Sequence, residues 1–172
     1  MFTLNGLSKL LGLPQLKLAW IHVDGEPAFK SEAKRHLEWI GDAYLSVNTA
    51  SQMACPELLR RREEFQGPIK ERLQANLLSL RELTDSSPSN VKPHVHPIWP
   101  QGGWCLPVRF TDLSGTEDDE TLALKLLRSQ GVLTHPGYFF DFDEDVLVLS
   151  LLPEPETFRE GVRRIVEATR PI

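Results

Sequence analysis

Cysteine is scarce in this sequence, and long apolar runs are missing from it. Cys55 and Cys105 are two cysteines among 172 residues, too few for the disulfide framework of a small secreted domain. No apolar stretch approaches the roughly 20 residues that cross a bilayer, and no basic segment followed by an apolar signal core opens the chain. We therefore expect two buried thiols, a cytoplasmic location and no membrane contact.

An excess of positive charge is also missing. The chain carries 19 Lys and Arg residues against 24 Asp and Glu residues, which gives a net charge of -5. Proteins that bind nucleic acid through many phosphates need a basic surface. The basic run Arg60 to Arg62 is followed at once by Glu63 and Glu64, a pattern typical of a solvated helix face. We expect no nucleic-acid partner.

Hydrophobic periodicity and turn residues predict an ordinary globular chain of mixed helices and strands, with 41% hydrophobic residues. The longest helical pattern starts at Pro56 and should bend or break at Gly67-Pro68, because proline lacks a backbone donor and clashes with the preceding turn. Other helices are expected from Pro27, from about 117 to 130, and through Phe158, Val162 and Ile165. Later strand candidates are Val91 to Val95, Trp104 to Phe110 and Val146 to Ser150.

The first 25 residues hold the most informative pattern. The apolar run Phe2 to Leu4 predicts a buried strand, and Ser8 and Lys9 follow on the turn at its end. A second run, Leu16 to Val23, predicts another strand, with Lys17 near its start and near the same rim. A Ser-Lys pair on a turn is by itself more often a solvated lysine than a catalytic one.

The context of Lys9 resembles the pyridoxal-phosphate lysine region of the aminotransferase class I/II family, fold type I. In that family a small-residue turn carries Ser-Lys, and a basic residue follows eight positions later, as Lys17 does here. An independent stretch far downstream is similar to the small-domain ending of the same family, in the order Gly131 to Phe140, Val146 to Ser150 and Glu156 to Gly161. The resemblance therefore covers nearly the whole chain.

The resemblance implies a longer protein, of which this chain is the C-terminal portion, with Met1 as an internal start. The implied fold is α/β with an α+β small domain. Residues 1–55 would be the end of the large cofactor-binding domain, including the lysine turn, and residues 56–84 a long kinked connecting helix. Residues 85–172 would form a small domain of helices packed on a mostly antiparallel sheet. The surface that met the missing half is expected to be apolar and exposed.

The implied cofactor is pyridoxal 5'-phosphate, and the implied catalytic residue is Lys9, through a Schiff base and then as acid and base. Ser8 and Lys17 would bind the cofactor phosphate, and no metal is implied. The implied reaction moves an amino group between a small-molecule amino donor and a keto acid or carbonyl acceptor. Another reaction on the same scaffold, such as a lyase or decarboxylase, and a truncated non-catalytic module stay open. A homodimer is expected for the complete protein.

Three residues depart from the family pattern. Gly6 stands where many relatives have serine, and Lys17 replaces an arginine, which keeps the charge but loses the planar fork. Val148 stands where relatives that act on amino acids commonly place the arginine that pairs with the substrate carboxylate. Either another group, such as Arg109 or one in the absent half, binds a carboxylate, or the substrate lacks one there.

Two further groups have alternative interpretations. Tyr138 and Phe139 would either form a wall of a substrate pocket or pack in the core. His94 and His96 have the spacing of a metal pair on one strand face, but no cysteine or acidic partner lies nearby, so we expect no zinc site.

Overall fold

An antiparallel pair of strands, β1 (Phe2–Gly6) and β2 (Ala19–Val23), opens the chain in the computed structural model, which describes residues 1–85, 94–111 and 118–170. A short helix, α1 (Leu7–Leu10), and a 3₁₀ turn (Pro14–Leu16) connect the two strands. The second strand begins later than predicted, because proline opens the 3₁₀ turn just before it and the chain becomes extended only after that turn.

The prediction that the first strand is buried is wrong. The side chains of Phe2 and Leu4 are 49% and 72% exposed. A two-stranded pair buries its faces only where other elements pack on them. The apolar packing of this region is instead centred on Leu7, Leu11 and Leu18, which are all buried.

Three helices follow, α2 (Pro27–Gly41), α3 (Thr49–Arg60) and α4 (Arg62–Asp85). The chain divides into two compact units, Met1–Ile69 and Lys70–Ile172, so the division falls within α4. The predicted domain boundaries after residues 55 and 84 concern a complete protein, and they stay predictions.

The predicted start of the long helix and a break at Gly67-Pro68 are wrong, while a bend there stays a prediction. Helix α3 begins at Thr49, where the side-chain oxygen of Asn48 accepts a hydrogen bond from the Ser51 amide at 3.2 Å. The helical path is interrupted at Arg61, whereas α4 continues through Gly67-Pro68. One proline removes one backbone donor, and the other turns of α4 keep theirs. The polar passage before Pro56 is therefore a helix start, for which asparagine is well suited.

The second unit contains an antiparallel sheet of β3 (Val95–Pro97), β4 (Cys105–Phe110), β5 (His135–Pro136) and β6 (Val146–Ser150), in the order β3-β4-β6-β5. Helices α5 (Asp119–Gln130) and α6 (Pro155–Ala168) complete it. Alternate residues of the central strands share one core with both helices and with Leu80 of α4, namely Leu106, Val108, Leu147, Leu149, Leu126 and Phe158. The predicted small domain of helices on an antiparallel sheet is confirmed.

Most elements of this unit match their predictions. The strands Trp104 to Phe110 and Val146 to Ser150 and the two helices are confirmed within a residue or two. In the strand predicted at Val91 to Val95, residues 91–93 lie outside the described residues, and Val95 begins β3. None of the helices in the described part of the chain is long and apolar enough to span a membrane.

The prediction of two buried thiols is wrong. Cys105 is exposed, and Cys55 is half-buried. Side chains alternate between the two faces of a strand, and in β4 Leu106 and Val108 occupy the core face. Cys105 therefore points to the opposite face.

A buried carboxylate fixes the turn that follows β5. Asp119 is 9% exposed, and its Oδ2 accepts hydrogen bonds from the amides of Gly137 at 2.6 Å and Tyr138 at 3.4 Å. Gly137 has no space for a side chain, because a Cβ there would lie 2.4 Å from Cγ2 of Val146. The carboxylate therefore satisfies a backbone donor at a close-packed position.

We expect Asp119→Ala to lower the free energy of unfolding by about 1–3 kcal/mol, because the buried Gly137 amide loses its acceptor. Asp119→Asn should lose less stability, since the asparagine amide oxygen still accepts a hydrogen bond from the Gly137 amide. Urea unfolding and hydrogen exchange at the Gly137 amide measure both effects. Glu120→Ala, on the exposed neighbour in the same helical turn, is the control. Equal losses in the two alanine variants would refute this role of Asp119.

Candidate functional site

The lysine predicted to be catalytic lies on α1, directly after β1. Leu7 and Leu11, one helical turn apart, are 0% and 1% exposed and anchor this segment in the core of the first unit. The amide of Leu7 also donates a hydrogen bond to the carbonyl of Leu18 at 3.0 Å. Ser8 is half-buried and Lys9 is exposed. The backbone that carries Ser8 and Lys9 is therefore fixed by the burial of Leu7 and Leu11.

Lys17 has an unusual backbone conformation. Its φ of 50° and ψ of 37° lie in the left-handed region, and its amide donates to the carbonyl of Pro14 at 3.2 Å. A non-glycine residue in this region costs roughly 1–2 kcal/mol. Residues with such backbone conformations cluster at functional sites. The conformation therefore distinguishes Lys17 from an ordinary surface lysine.

A close backbone approach joins the two lysine-bearing segments. Gly6 is paired with Ala19 in the sheet, and a Cβ on Gly6 would lie 2.9 Å from the carbonyl oxygen of Leu18 and 3.0 Å from Cβ of Ala19. The serine that many aminotransferases have here would not fit this backbone without a shift. The departure at Gly6 therefore has a steric reason.

Two cavities of the first unit lie near these segments. Lys17 borders one of about 700 Å³, together with Ser46, Asn48 and Ser51 at the start of α3. A second, of about 900 Å³, is bordered by Leu18, Trp20 and Tyr44, among others. Ser8 and Lys9 border neither of these two. A lysine nucleophile needs a desolvated or cationic setting, and neither cavity provides it for Lys9.

Large apolar side chains of the first unit are exposed, as expected for the C-terminal part of a longer protein. Phe2 and Phe29 contact each other with ring centroids 5.8 Å apart, and with His36 they border a groove on α2. The large apolar side chains of this unit with exposures above half are Met1, Leu4, Trp39, Ile40, Tyr44, Leu45 and Met53. That these side chains form the surface which met another part of a longer protein stays a prediction.

Val148, which stands where relatives commonly have the carboxylate-binding arginine, lies in the second unit. Val148 is 2% exposed and pairs with Pro107 and His135 in the sheet. Arg109 donates from Nε to Glu144 Oε2 at 2.5 Å, and both side chains are about half exposed. A substrate carboxylate would have to displace Glu144, so Arg109 is engaged in a surface ion pair in this structure.

The paired histidines lie in different environments. His94 is buried, with Nε2 3.1 Å from the carbonyl of Val166, whereas His96 is exposed, with Nε2 3.1 Å from the hydroxyl of Thr111. Among the described residues, no group of three or more His, Cys, Asp or Glu side chains is arranged to hold a metal ion.

The aromatic residues after β5 are exposed, so the core-packing interpretation is wrong. Tyr138 and Phe139 are 49% and 62% exposed, and their rings meet edge to face at 4.8 Å. The ring of His135 stacks on Phe139 with centroids 6.1 Å apart. Desolvation, and after it the charges of Glu120, Asp119 and Asp118, raise the pKa of the Tyr138 hydroxyl. The role of this aromatic cluster as a substrate wall stays a prediction.

The residue types at the first site fit pyridoxal phosphate. Lys9 supplies an amine for an aldehyde, and Ser8 and Lys17 supply a hydroxyl donor and a cation for a phosphate. The segments of all three are connected through the Leu7 to Leu18 hydrogen bond and the Gly6 to Ala19 pair. Lys9 borders neither of the two neighbouring cavities, so neither encloses its amine. The residues fit the cofactor in chemistry, and their assigned roles stay predictions.

Comparisons with known proteins point to aminotransferases through structure alone. No family model matches the sequence, and a search of curated proteins found no significant match. A pyridoxal-phosphate-dependent aminotransferase from Streptococcus suis is similar with a TM-score of 0.79 and 21% identity, over 96% of this chain and 41% of that one. The alanine aminotransferase of Pyrococcus furiosus is similar with a TM-score of 0.76 and 22% identity, over 98% of this chain and 42% of that one.

The α-aminoadipate aminotransferase of Thermus thermophilus, solved with N-(5'-phosphopyridoxyl)-L-leucine, is similar with a TM-score of 0.72 and 25% identity, over 98% of this chain and 41% of that one. The chain thus spans about two-fifths of the length of these structures. Its fold is that of their C-terminal part, so the resemblance inferred from Lys9 and the downstream segments is confirmed at the level of the fold.

We expect Gly6→Ala to destabilise the α1 segment by about 1–3 kcal/mol, because the added methyl group meets the Leu18 carbonyl. Gly41→Ala is the matched control, since nothing lies within 4 Å of a Cβ at the end of α2. That variant should be neutral or slightly stabilising. Hydrogen exchange at the Leu7 amide reports the local effect. Unchanged protection of this amide in Gly6→Ala would contradict the prediction.

Proposed function

We propose that this chain is the lysine-bearing C-terminal part of a pyridoxal-phosphate-dependent aminotransferase. The complete protein would transfer an amino group from an amino donor to a keto acid or another carbonyl acceptor. The observation that carries the proposal is the position of Lys9, on a helix anchored directly after β1, in a chain that follows aminotransferase structures over 96–98% of its length. The Ser-Lys turn was the feature that suggested this family from sequence.

Each residue of the site has a proposed role. Pyridoxal phosphate, when bound, withdraws electrons from the substrate carbon that loses a proton. The amine of Lys9 would hold the cofactor through its aldehyde, and as a free amine it would move a proton to and from the substrate carbon. The hydroxyl of Ser8 donates to the phosphate, and Lys17 neutralises part of its charge. The fixed α1 backbone orients Ser8 and Lys9 together.

The proposed partners are small molecules, with no nucleic acid and no membrane. The similar structures include enzymes named for alanine and for α-aminoadipate, so amino acids are the first donors to test. Val148 is buried and Arg109 is paired with Glu144, so two alternatives stay open: a carboxylate bound elsewhere, or a substrate without one at this place. We place the complete protein, as a homodimer, in a biosynthetic pathway of the cytoplasm.

One observation favours a second candidate, a non-catalytic module with the same fold. Lys9 is exposed and lies outside the two cavities of about 700 and 900 Å³. A site for this chemistry must hold its groups in a preorganised shell. The two candidates differ in what happens when cofactor is added.

We expect borohydride reduction in the presence of pyridoxal phosphate to label Lys9 more than the other lysines. Peptide mass spectrometry measures the label at each position. Lys9→Ala should remove the main adduct, whereas Lys34→Ala, at an exposed lysine on α2, should leave it unchanged. Lys17→Gly should reduce labelling at Lys9, because glycine keeps the left-handed backbone and removes the cation. Inorganic phosphate in excess should compete.

Equal labelling of Lys9 and Lys34, insensitive to phosphate and to Lys17→Gly, would favour the non-catalytic module. An adduct of the same mass and yield in Lys9→Ala would remove the proposal for this chain.

We expect the isolated chain to transfer amino groups slowly or not at all, because the groups that enclose the cofactor lie outside it. The measurement is pyridoxamine phosphate formed from pyridoxal phosphate and L-alanine, compared with the Lys9→Ala variant. Multiple turnovers at about 1 per second or faster, in the range of ordinary enzymes, would show that the chain alone forms a competent site.

A further inference from the structure

The aromatic cluster after β5 includes a third exposed ring, that of Phe140. Tyr138, Phe139 and Phe140 are 49%, 62% and 44% exposed. The imidazole of His135 lies beside two of these rings, with centroids 6.1 Å from Phe139 and 6.3 Å from Phe140. Single apolar side chains on a surface need no explanation, whereas a contiguous set of this kind marks an interaction site.

The backbone that presents these rings is held in place before any partner binds. The buried carboxylate of Asp119 accepts hydrogen bonds from the amides of Gly137 and Tyr138, and Gly137 has no space for a side chain. The amide of Asp141 donates to the carbonyl of Tyr138 at 3.3 Å and closes the 3₁₀ turn Gly137–Phe140. A surface that is ordered in advance loses less conformational entropy on binding.

Carboxylates flank the aromatic cluster. At the start of α5, Asp118 and Glu120 are exposed, and their charges add to desolvation in raising the pKa of the Tyr138 hydroxyl. These two carboxylates therefore lie within electrostatic reach of that hydroxyl. Three further exposed carboxylates follow the cluster in sequence, those of Asp141, Asp143 and Asp145.

The cluster differs from two other exposed aromatic side chains in having no cation of its own. The guanidinium carbon of Arg35 lies 5.1 Å from the ring centroid of Trp39, and that of Arg81 lies 4.8 Å from Trp99. In the part of the chain that the structure describes, no lysine or arginine lies over the rings of the cluster, and the flanking exposed carboxylates form no ion pair. The surface therefore has both features that attract a cation from outside.

The arrangement of the carboxylates favours an extended cationic partner over a metal ion. Within the described residues, no three His, Cys, Asp or Glu side chains are arranged to hold a metal. A metal ion would also leave the aromatic rings without a contact. The planar guanidinium of arginine stacks on aromatic faces and donates hydrogen bonds to carboxylates, so a segment with several arginines matches both features.

We propose that this surface binds an arginine-rich segment of another protein, with guanidinium groups stacked on the exposed rings and paired with the flanking carboxylates. The inference goes beyond the proposed aminotransferase function and does not depend on it, because these residues belong to the second unit and Ser8, Lys9 and Lys17 to the first. It is an alternative to the substrate wall considered for Tyr138 and Phe139.

The test titrates the full chain with three decapeptides, which are repeats of Gly-Arg, of Gly-Lys and of Gly-Glu. Calorimetry measures the affinities, and amide chemical shifts at Tyr138, Phe139 and Phe140 locate binding. We expect the Gly-Arg peptide to bind at least about threefold more tightly than the Gly-Lys peptide, because a guanidinium stacks on rings better than an ammonium does. The Gly-Glu peptide should not bind, and added salt should weaken binding of both cationic peptides.

Two variants with matched controls test the rings and the carboxylates separately. Phe139→Ala should weaken binding of the Gly-Arg peptide about two- to fivefold, the effect of one exposed cation–π contact. Trp39→Ala should leave the affinity unchanged, because Trp39 is as exposed, at 63%, but already lies against Arg35. Asp141→Asn should weaken binding and reduce its salt dependence, since asparagine also tolerates a φ of 57°. Glu63→Gln, at an exposed glutamate of α4, should change neither.

Any of four results would overturn the proposal: no saturable binding of the Gly-Arg peptide, equal affinity for the Gly-Lys peptide, shifts confined to other residues, or wild-type affinity in Phe139→Ala. Binding of L-arginine amide as tightly as the peptide would also overturn it, because the surface would then be a site for small cations. If Phe139→Ala fails to fold, the comparison of Asp141→Asn with Glu63→Gln decides.

Discussion

The candidate site depends on one close contact, the approach of Gly6 to the backbone of Leu18 and Ala19. A side chain at Gly6 would meet the Leu18 carbonyl at 2.9 Å, and the next residue, Leu7, donates its amide to that same carbonyl. The contact fixes where β1 ends and α1 begins, and therefore the position of the backbone that carries Lys9.

The sequence predicted the second unit better than the first, for a physical reason. In β4 and β6, core residues alternate with residues of the other face and share one core with α5 and α6, so local pattern and tertiary packing agree. The first unit has only Leu7, Leu11 and Leu18 as the buried centre of its cluster. There the apolar run Phe2 to Leu4 predicted burial, yet its side chains are exposed, because burial depends on packing partners that a local pattern does not reveal.

The residues of the candidate site were identified from sequence, but their surroundings were not. Spacing and residue type singled out Ser8, Lys9 and Lys17. The left-handed conformation of Lys17 and the Arg109 ion pair with Glu144 depend on local geometry and on a residue 35 positions away. The start of α3 was missed although Asn48 is a good capping residue, because polar residues before a proline also suit a loop.

Lys9 and several large apolar side chains of the first unit are exposed. This chain spans about two-fifths of the aminotransferase structures that it resembles, and a nucleophilic amine needs a desolvated environment that its own two nearby cavities do not give it. Surface from outside the chain that covered residues such as Trp39 and Tyr44 would bury apolar area. The second unit, in contrast, already has its own core.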